Sequence, residues 1–270
     1  MMDRSLYALL GAPVHHSLSP ALQNSAIDAL GIDAVYVALW TWDDLVAPFM
    51  RSLPGGNVTL PHKRAAAAAL DQPSEDVRAT GACNVFWWDE DGGLCGDNTD
   101  SAAFRTAAEA LLGGALSGRR VLLLGAGGAA RAVVHACCGA GVDRVEILNR
   151  TRDRADELVG DLGAPPDVQV LEGGEAVGGE TYDLIVNATS LGLDPTDPLP
   201  VEPESVQARA LLDLVYGRDD TPLVRAARAA GIEAADGRLM LVEQAALSFM
   251  KWFDRDPPRE VLLRAAGLVE

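Results

Sequence analysis

Val121-Leu122-Leu123-Leu124-Gly125-Ala126-Gly127-Gly128-Ala129-Ala130 reads as an apolar strand running directly into a glycine-rich turn and an alanine-rich helix that starts at about Ala129. Val145-Glu146-Ile147-Leu148 supplies the next strand, so the unit is β-α-β. Further strands at Leu184-Ile185-Val186 and Leu211 to Val215 extend it into a doubly wound parallel sheet of the Rossmann type. In that context Gly125, Ala126, Gly127, Gly128, Ala129 and Ala130 fit G-x-G-x-x-A. The glycines permit a tight turn and let a dinucleotide diphosphate approach the helix N-terminus.

At the end of the second strand an NAD site usually carries Asp or Glu for the ribose hydroxyls. Here the residue is Asn149, followed by Arg150, Thr151 and then Arg154. A neutral amide with two guanidinium groups suits a 2′-phosphate, which an acid would repel and arginine can grip bidentately. The bland alternative is a pair of solvated charges at a helix start. Cations there oppose the helix dipole, which favours a ligand. NADP is therefore the expected cofactor.

Outward from this unit, the first hundred residues show an αβ alternation of their own. Strands are expected near Leu6 to Leu10, Ala34 to Leu39, Asn57 to Leu60 and Asn84 to Trp88, with helices at Pro20 to Leu30 and Arg64 to Leu70. The helical segment Met240 to Phe253 follows the last nucleotide-domain strand and is expected to return to the N-terminal domain. The expected division is a substrate-binding domain of residues 1–103 completed by 238–270, and an NADP-binding domain of residues 104–237. A cleft between domains is the default ligand site for such a chain. Gly173 to Gly179 reads as a surface loop.

Composition narrows the classes further. A chain of 270 residues, 49% hydrophobic and 23% charged, can bury a large core. No apolar run approaches the ~20 residues a membrane span requires. The run Leu6 to Leu10 is short for a signal-peptide core and lacks a small-residue cleavage pattern, so it reads as a first strand and the expected location is cytoplasmic. Cys83, Cys95, Cys137 and Cys138 form no CxxC pair and read as reduced thiols, with no metal expected. With 22 basic and 39 acidic residues the formal charge is −17, which makes nucleic acid and anionic membranes poor partners. An anionic ligand must then be held by local groups; a monomer or homodimer acting on a small molecule is the expectation.

Three N-terminal segments combine polar residues with glycine or proline: His16-Ser17-Leu18-Ser19-Pro20, Asn57-Val58-Thr59-Leu60-Pro61-His62-Lys63, and Asn84 with Gly96-Asp97-Asn98-Thr99-Asp100. Singly they have bland readings. Ser19-Pro20 suits a helix start, Lys63 a solvated helix position and Asp100 an N-cap. Together they are accompanied by Gly11-x-Pro13, Gly81-Ala82-x-Asn84, Asn149-Arg150-Thr151 and Asn187-Ala188-Thr189-Ser190. Asp213-x-x-Tyr216 with Thr221-Pro222-Leu223, and Met240-Leu241-x-x-Gln244-Ala245, complete the series. In this order, over nearly the whole chain, they resemble the shikimate dehydrogenase family.

The resemblance implies a reversible NADPH-dependent reduction of 3-dehydroshikimate to shikimate, a step of chorismate and aromatic amino-acid biosynthesis. It implies that Ser17 and Ser19, helped by Tyr216, bind the substrate carboxylate, and that Thr59, Lys63, Asn84, Asp100 and Gln244 surround the ring hydroxyls. Lys63 and Asp100 are the implied catalytic residues. Asn187, Thr189, Leu214 and Gly237 join the glycine turn and the Asn149 to Arg154 segment as implied cofactor contacts. The residue types suit the chemistry: hydride addition builds negative charge on the ketone oxygen, which an ammonium group stabilises and can protonate, while an adjacent carboxylate fixes its direction.

Three positions depart from the family's common pattern. Gln23 stands where histidine is frequent, Gly217-Arg218 replaces Asn-Pro, and Gly237-Arg238-Leu239-Met240 lacks a second glycine. The rival readings are a quinate/shikimate or aminoshikimate dehydrogenase and, from another class, a non-catalytic NADP-binding regulatory module.

Overall fold

The computed structural model describes residues 4–171, 181–194, 196–217 and 219–269; the expected loop Gly173 to Gly179 and Arg218 lie outside the described residues. The chain divides into two compact units, Met1–Ala103 with Leu241–Glu270, and Phe104–Met240.

The first unit alternates β1 (Ser5–Gly11), α1 (Ser19–Ala29), β2 (Ala34–Trp40), α2 (Asp43–Ser52), β3 (Gly55–Val58), α3 (Lys63–Ala68), β4 (Gln72–Pro73), α4 (Glu75–Thr80), β5 (Val85–Trp88) and β6 (Leu94–Asp97). Its sheet order is β2-β1-β3-β5-β6-β4. The first three strands in that order pair in parallel, whereas β5 runs antiparallel to both β3 and β6. Ala8, Leu10, Met50, Val58, Phe86 and Leu94 belong to one buried cluster beneath this sheet. The expected strand Asn57 to Leu60 stops at Val58, because the Thr59 carbonyl turns back to accept the His62 N–H at 3.0 Å.

Helix α5 (Asp100–Leu112) runs across the division between the units. The second unit then continues with β7 (Arg120–Leu124), α6 (Gly128–Ala140), β8 (Arg144–Leu148), α7 (Arg152–Asp161), β9 (Val168–Val170), β10 (Tyr182–Asn187), β11 (Ala208–Asp213), α8 (Pro222–Ala229) and β12 (Glu233–Ala235). All strands of the sheet β12-β11-β10-β7-β8-β9 are parallel, which is the Rossmann-type arrangement. Val121 to Leu124 and Leu184 to Val186 are buried throughout, as strands covered on both faces should be. The expected strand Leu211 to Val215 ends at Asp213, whose carboxylate takes up the Val215 N–H that would otherwise continue the ladder.

Helices α9 (Arg238–Phe253) and α10 (Arg259–Ala265) close the chain. From α9, Trp252 packs its ring against Tyr7 and Tyr36, with centroids 5.2 and 5.7 Å apart, and donates its indole N–H to the Phe86 carbonyl at 3.1 Å. Gly55 is required there, since a Cβ would stand 2.8 Å from the indole. No helix among the described residues is long and apolar enough to cross a membrane.

Candidate active site

In the first unit the turn after β1 brings Ser17 and Ser19 together, their hydroxyls 3.2 Å apart. Neither hydroxyl caps α1: Leu18 occupies the cap position without a side-chain bond, and the Ser17 oxygen accepts the Ser19 N–H at 3.2 Å. Thr59 begins the turn after β3, its N–H bonded to the Leu10 carbonyl at 2.8 Å. Its methyl lies against Gly11, where a Cβ would stand 2.3 Å from Thr59 Cγ2, so glycine at 11 is what lets this turn close on β1.

Lys63 opens α3 and Asp100 opens α5, and the Lys63 ammonium donates to Asp100 Oδ2 at 2.5 Å. The lysine side chain is 15% exposed and the carboxylate 3%, so the pair is dry yet reachable at its lysine end. Asp100 Oδ1 accepts from Asn84 Nδ2 at 2.8 Å. The same amide nitrogen reaches Gln244 Oε1 at 3.1 Å, and Asn84 Oδ1 accepts the Thr99 N–H at 2.9 Å. The Asn98 side chain accepts the Asp100 N–H at 3.1 Å and donates to Thr80 and Ala82, which anchors the start of α5. Lys63, Asn84, Asp100 and Gln244 thus form one connected polar group from four segments. Bifurcated donation and short distances of this kind give orientation as well as energy.

Asn57 carries no role in the sequence reading beyond its segment, yet it is a hub under this group. It accepts from Tyr36 at 2.8 Å and donates to the Asn84 carbonyl at 3.0 Å and to Ser248 at 2.8 Å. It is the third residue of the short strand Gly-Gly-Asn-Val, and what marks it is its burial, which the sequence does not carry. Gln23 is buried and donates to the Ala245 carbonyl at 3.1 Å, one residue from Gln244, tying α1 to α9.

In the second unit Gly125 has φ +106°, and a Cβ on it would meet the Ala188 carbonyl at 3.0 Å, so the turn requires glycine. Helix α6 starts after Gly127 with no side-chain cap and no acid in its first turn, and the space where a Gly127 Cβ would stand is open. Bare N–H groups beside open space fit the diphosphate of a dinucleotide. Asn149 donates to the Thr151 carbonyl at 2.7 Å, and Arg150 and Arg154 are exposed. Among the described residues neither guanidinium has an ion pair or side-chain hydrogen bond, which leaves both available to a 2′-phosphate.

Asn187 closes β10 and is completely buried. Its Oδ1 accepts from Thr189 N–H and Oγ1 at 3.0 and 2.7 Å, and its Nδ2 donates to Asp213 at 2.8 Å. It therefore shapes the turn that carries Thr189, itself half-buried. The Leu214 N–H bonds the Asn187 carbonyl at 2.9 Å, and Gly237 lies so close to Leu214 that a Cβ would stand 2.4 Å from its carbonyl oxygen. Arg238, the residue after Gly237, pairs with Asp236 at 2.8 Å, and Leu239 stands just before Met240, where the family pattern has its second glycine. Tyr216 is half-buried on the loop after β11.

Model matches cover three parts of the chain: the shikimate dehydrogenase substrate binding domain over residues 9–86, shikimate / quinate 5-dehydrogenase over 106–194, and the shikimate 5′-dehydrogenase C-terminal domain over 237–266. A shikimate dehydrogenase (NADP(+)) of Rubrobacter xylanophilus is 42% identical over 97% of this chain and 95% of its own. The chain belongs to the shikimate dehydrogenase family. Among solved members of that family, shikimate dehydrogenase from Aquifex aeolicus superposes with a TM-score of 0.88 at 30% identity, covering 98% of both chains. Shikimate 5-dehydrogenase from Thermus thermophilus, solved in complex with NADP(H) and shikimate, superposes with a TM-score of 0.83 at 37% identity over 97% of this chain and 98% of its own. The chain is thus an NADP-dependent oxidoreductase of this family.

Proposed function

We propose that Lys63 and Asp100 carry the proton chemistry of the reversible, NADP-dependent conversion of 3-dehydroshikimate to shikimate. The observation that supports this reading is the nearly dry Lys63–Asp100 pair, 2.5 Å long, with the second carboxylate oxygen occupied by Asn84. NADPH supplies the hydride when bound. Lys63 Nζ, aimed by Asp100, donates a hydrogen bond to the ketone oxygen, stabilises the charge that grows there and delivers its proton. Asn84 and Gln244 hold ring hydroxyls as well as each other. Ser17 and Ser19 take the carboxylate through hydroxyl donors, which a chain of charge −17 can offer without an arginine at that point.

On the cofactor side the uncapped start of α6 receives the diphosphate, and Arg150 with Arg154 receives the 2′-phosphate. A cytoplasmic location accompanies this reading. The test is a panel of shikimate, quinate and aminoshikimate against NADP and NAD, followed by nicotinamide absorbance. Rapid reduction of NADP with shikimate is expected. Absence of reduction by any of the three acids, with NADP still bound, would replace the enzyme by a binding module.

A further inference from the structure

Asp213 ends β11 fully buried, and every hydrogen bond it makes through its side chain is one it accepts. Oδ1 takes the Asn187 amide at 2.8 Å and the Val215 N–H at 3.1 Å, while Oδ2 takes the Thr221 hydroxyl at 2.6 Å. Each donor belongs to a different segment. Asn187 closes β10 and shapes the Thr189 turn; Val215 follows Leu214 and accepts the Gly237 N–H at 3.2 Å; Thr221 caps α8, accepting the Val224 N–H at 3.2 Å. Three accepted bonds suit the ionised carboxylate, yet burial pushes this carboxyl up to about 6, and nearby Asp236, itself paired with Arg238, pushes in the same direction. A group held ionised against its surroundings needs a return, and the return here is geometric. An apolar or amide side chain could fill the space without orienting three donors at once.

We propose that Asp213 is a positioning residue for the cofactor: its carboxylate fixes Asn187, and through it the Thr189 turn and the Leu214 backbone, in the arrangement that binds NADP. This rests on the reading above that Thr189, Leu214 and Gly237 face the dinucleotide. Asp213 touches neither ligand, and its effect passes through Asn187.

The experiment is calorimetric titration of the whole chain with NADP alone, alongside the shikimate KM at saturating NADP and circular dichroism. In Asp213→Asn one acceptor becomes an N–H that faces other donors. Its NADP Kd should rise roughly 10-fold or more while the shikimate KM stays within about 2-fold. The exchange Asp213→Asn with Asn187→Asp restores a donor–acceptor pair and should recover most of the NADP affinity. Asn187→Ala, which leaves the carboxylate in place, should weaken NADP to a similar degree and serves if Asp213→Asn does not fold. Unchanged NADP affinity in a folded Asp213→Asn or in Asn187→Ala overturns the proposal, as does an exchange variant that regains stability but not affinity. Failure of the catalytic reading is separate: it shows in the unmodified chain as no NADP reduction with shikimate.

Discussion

The first unit builds its candidate site from charged and amide side chains, whereas the second builds most of its own from backbone. Lys63, Asn84, Asp100 and Gln244 come from four segments of the chain and meet through hydrogen bonds of 2.5 to 3.1 Å. The glycine turn offers the N–H groups that follow Gly125, whose own N–H is bonded to the Leu148 carbonyl at 2.9 Å, and the fully buried carboxylate of Asp213 accepts from Asn187, Val215 and Thr221. In the function proposed above, the Lys63 ammonium of the first unit meets charge that develops during reaction. The charge in the second is placed to hold other groups still. Substitutions should therefore divide cleanly between rate on one side and cofactor affinity or stability on the other.

The sharpest break of that division would come from Lys63. Lys63→Ala should lower kcat by roughly 10²- to 10⁴-fold with a much smaller change in shikimate KM, because the ammonium matters most when the ketone oxygen becomes negative. Steady-state kinetics decide it, and a near-normal kcat would remove the assigned role. Asp100→Asn should also be severe. The double variant should fall short of the product of the single effects, since the two groups act as a unit.

On the other side, Asp213 should leave its mark on stability against pH. Its carboxyl is raised in the folded chain to about 6, above the value of an unfolded aspartate, so the folded state holds the extra proton between the two values. The contribution to stability is then fully present below the unfolded pKa and is lost as pH rises through about 6. Relative to Asp213→Asn, the unmodified chain should lose about 2–3 kcal/mol of unfolding free energy between pH 4 and pH 7. Denaturant titrations of both proteins across that range measure it, and parallel curves would show that the carboxyl keeps its ordinary value.

Arg150 tests the cofactor end alone. Arg150→Ala should raise the NADP KM by roughly 10- to 150-fold, the loss of a charge-assisted bidentate contact, and leave the NAD KM nearly unchanged. Equal effects on both nucleotides would move Arg150 to the shared diphosphate or to folding. The smallest expected effect concerns the substrate carboxylate. Shikimate should exceed quinate by at least ~10-fold in kcat/KM, because quinate's tetrahedral C1 tilts the carboxylate away from the close Ser17–Ser19 pair and adds a hydroxyl that needs a partner. Comparable values would assign a dual quinate/shikimate specificity.

What was readable in the chain differs between the same two regions. The strand Val121 to Leu124, the glycine turn and the Asn149-Arg150-Thr151 segment are local patterns, and the requirement they encode is local too: φ +106° at Gly125 and uncapped N–H groups at α6. Sequence sufficed there because one short stretch contains the whole device. In the first unit the resemblance to a family supplied the candidate residues and set Asp100 beside Lys63, but not the amide contacts around that pair. That Asn84 ties Asp100 to Gln244 across 160 positions follows only from the β5–β6 pairing and the seat of α9.

The elements that escaped the sequence reading fail for the same reason. Strand β6 reads Leu-Cys-Gly-Asp, and its glycine argues against a strand until Leu70 and Cys83 are seen to leave no room for a Cβ at Gly96. Asn57 and Asp213 sat in quoted motifs without a role, since a polar residue at a strand end is equally a solvated terminus until burial is known. The sequence by itself determined the Rossmann-type sheet, the dinucleotide turn, the candidate phosphate-binding arginines and the family. Tertiary structure alone decided which polar side chains are dry and which amides and hydroxyls meet which carboxylate oxygens, Asn84 at Asp100 and Asn187 and Thr221 at Asp213: burial and hydrogen-bond pairing are properties of segments brought together, and no single segment carries them.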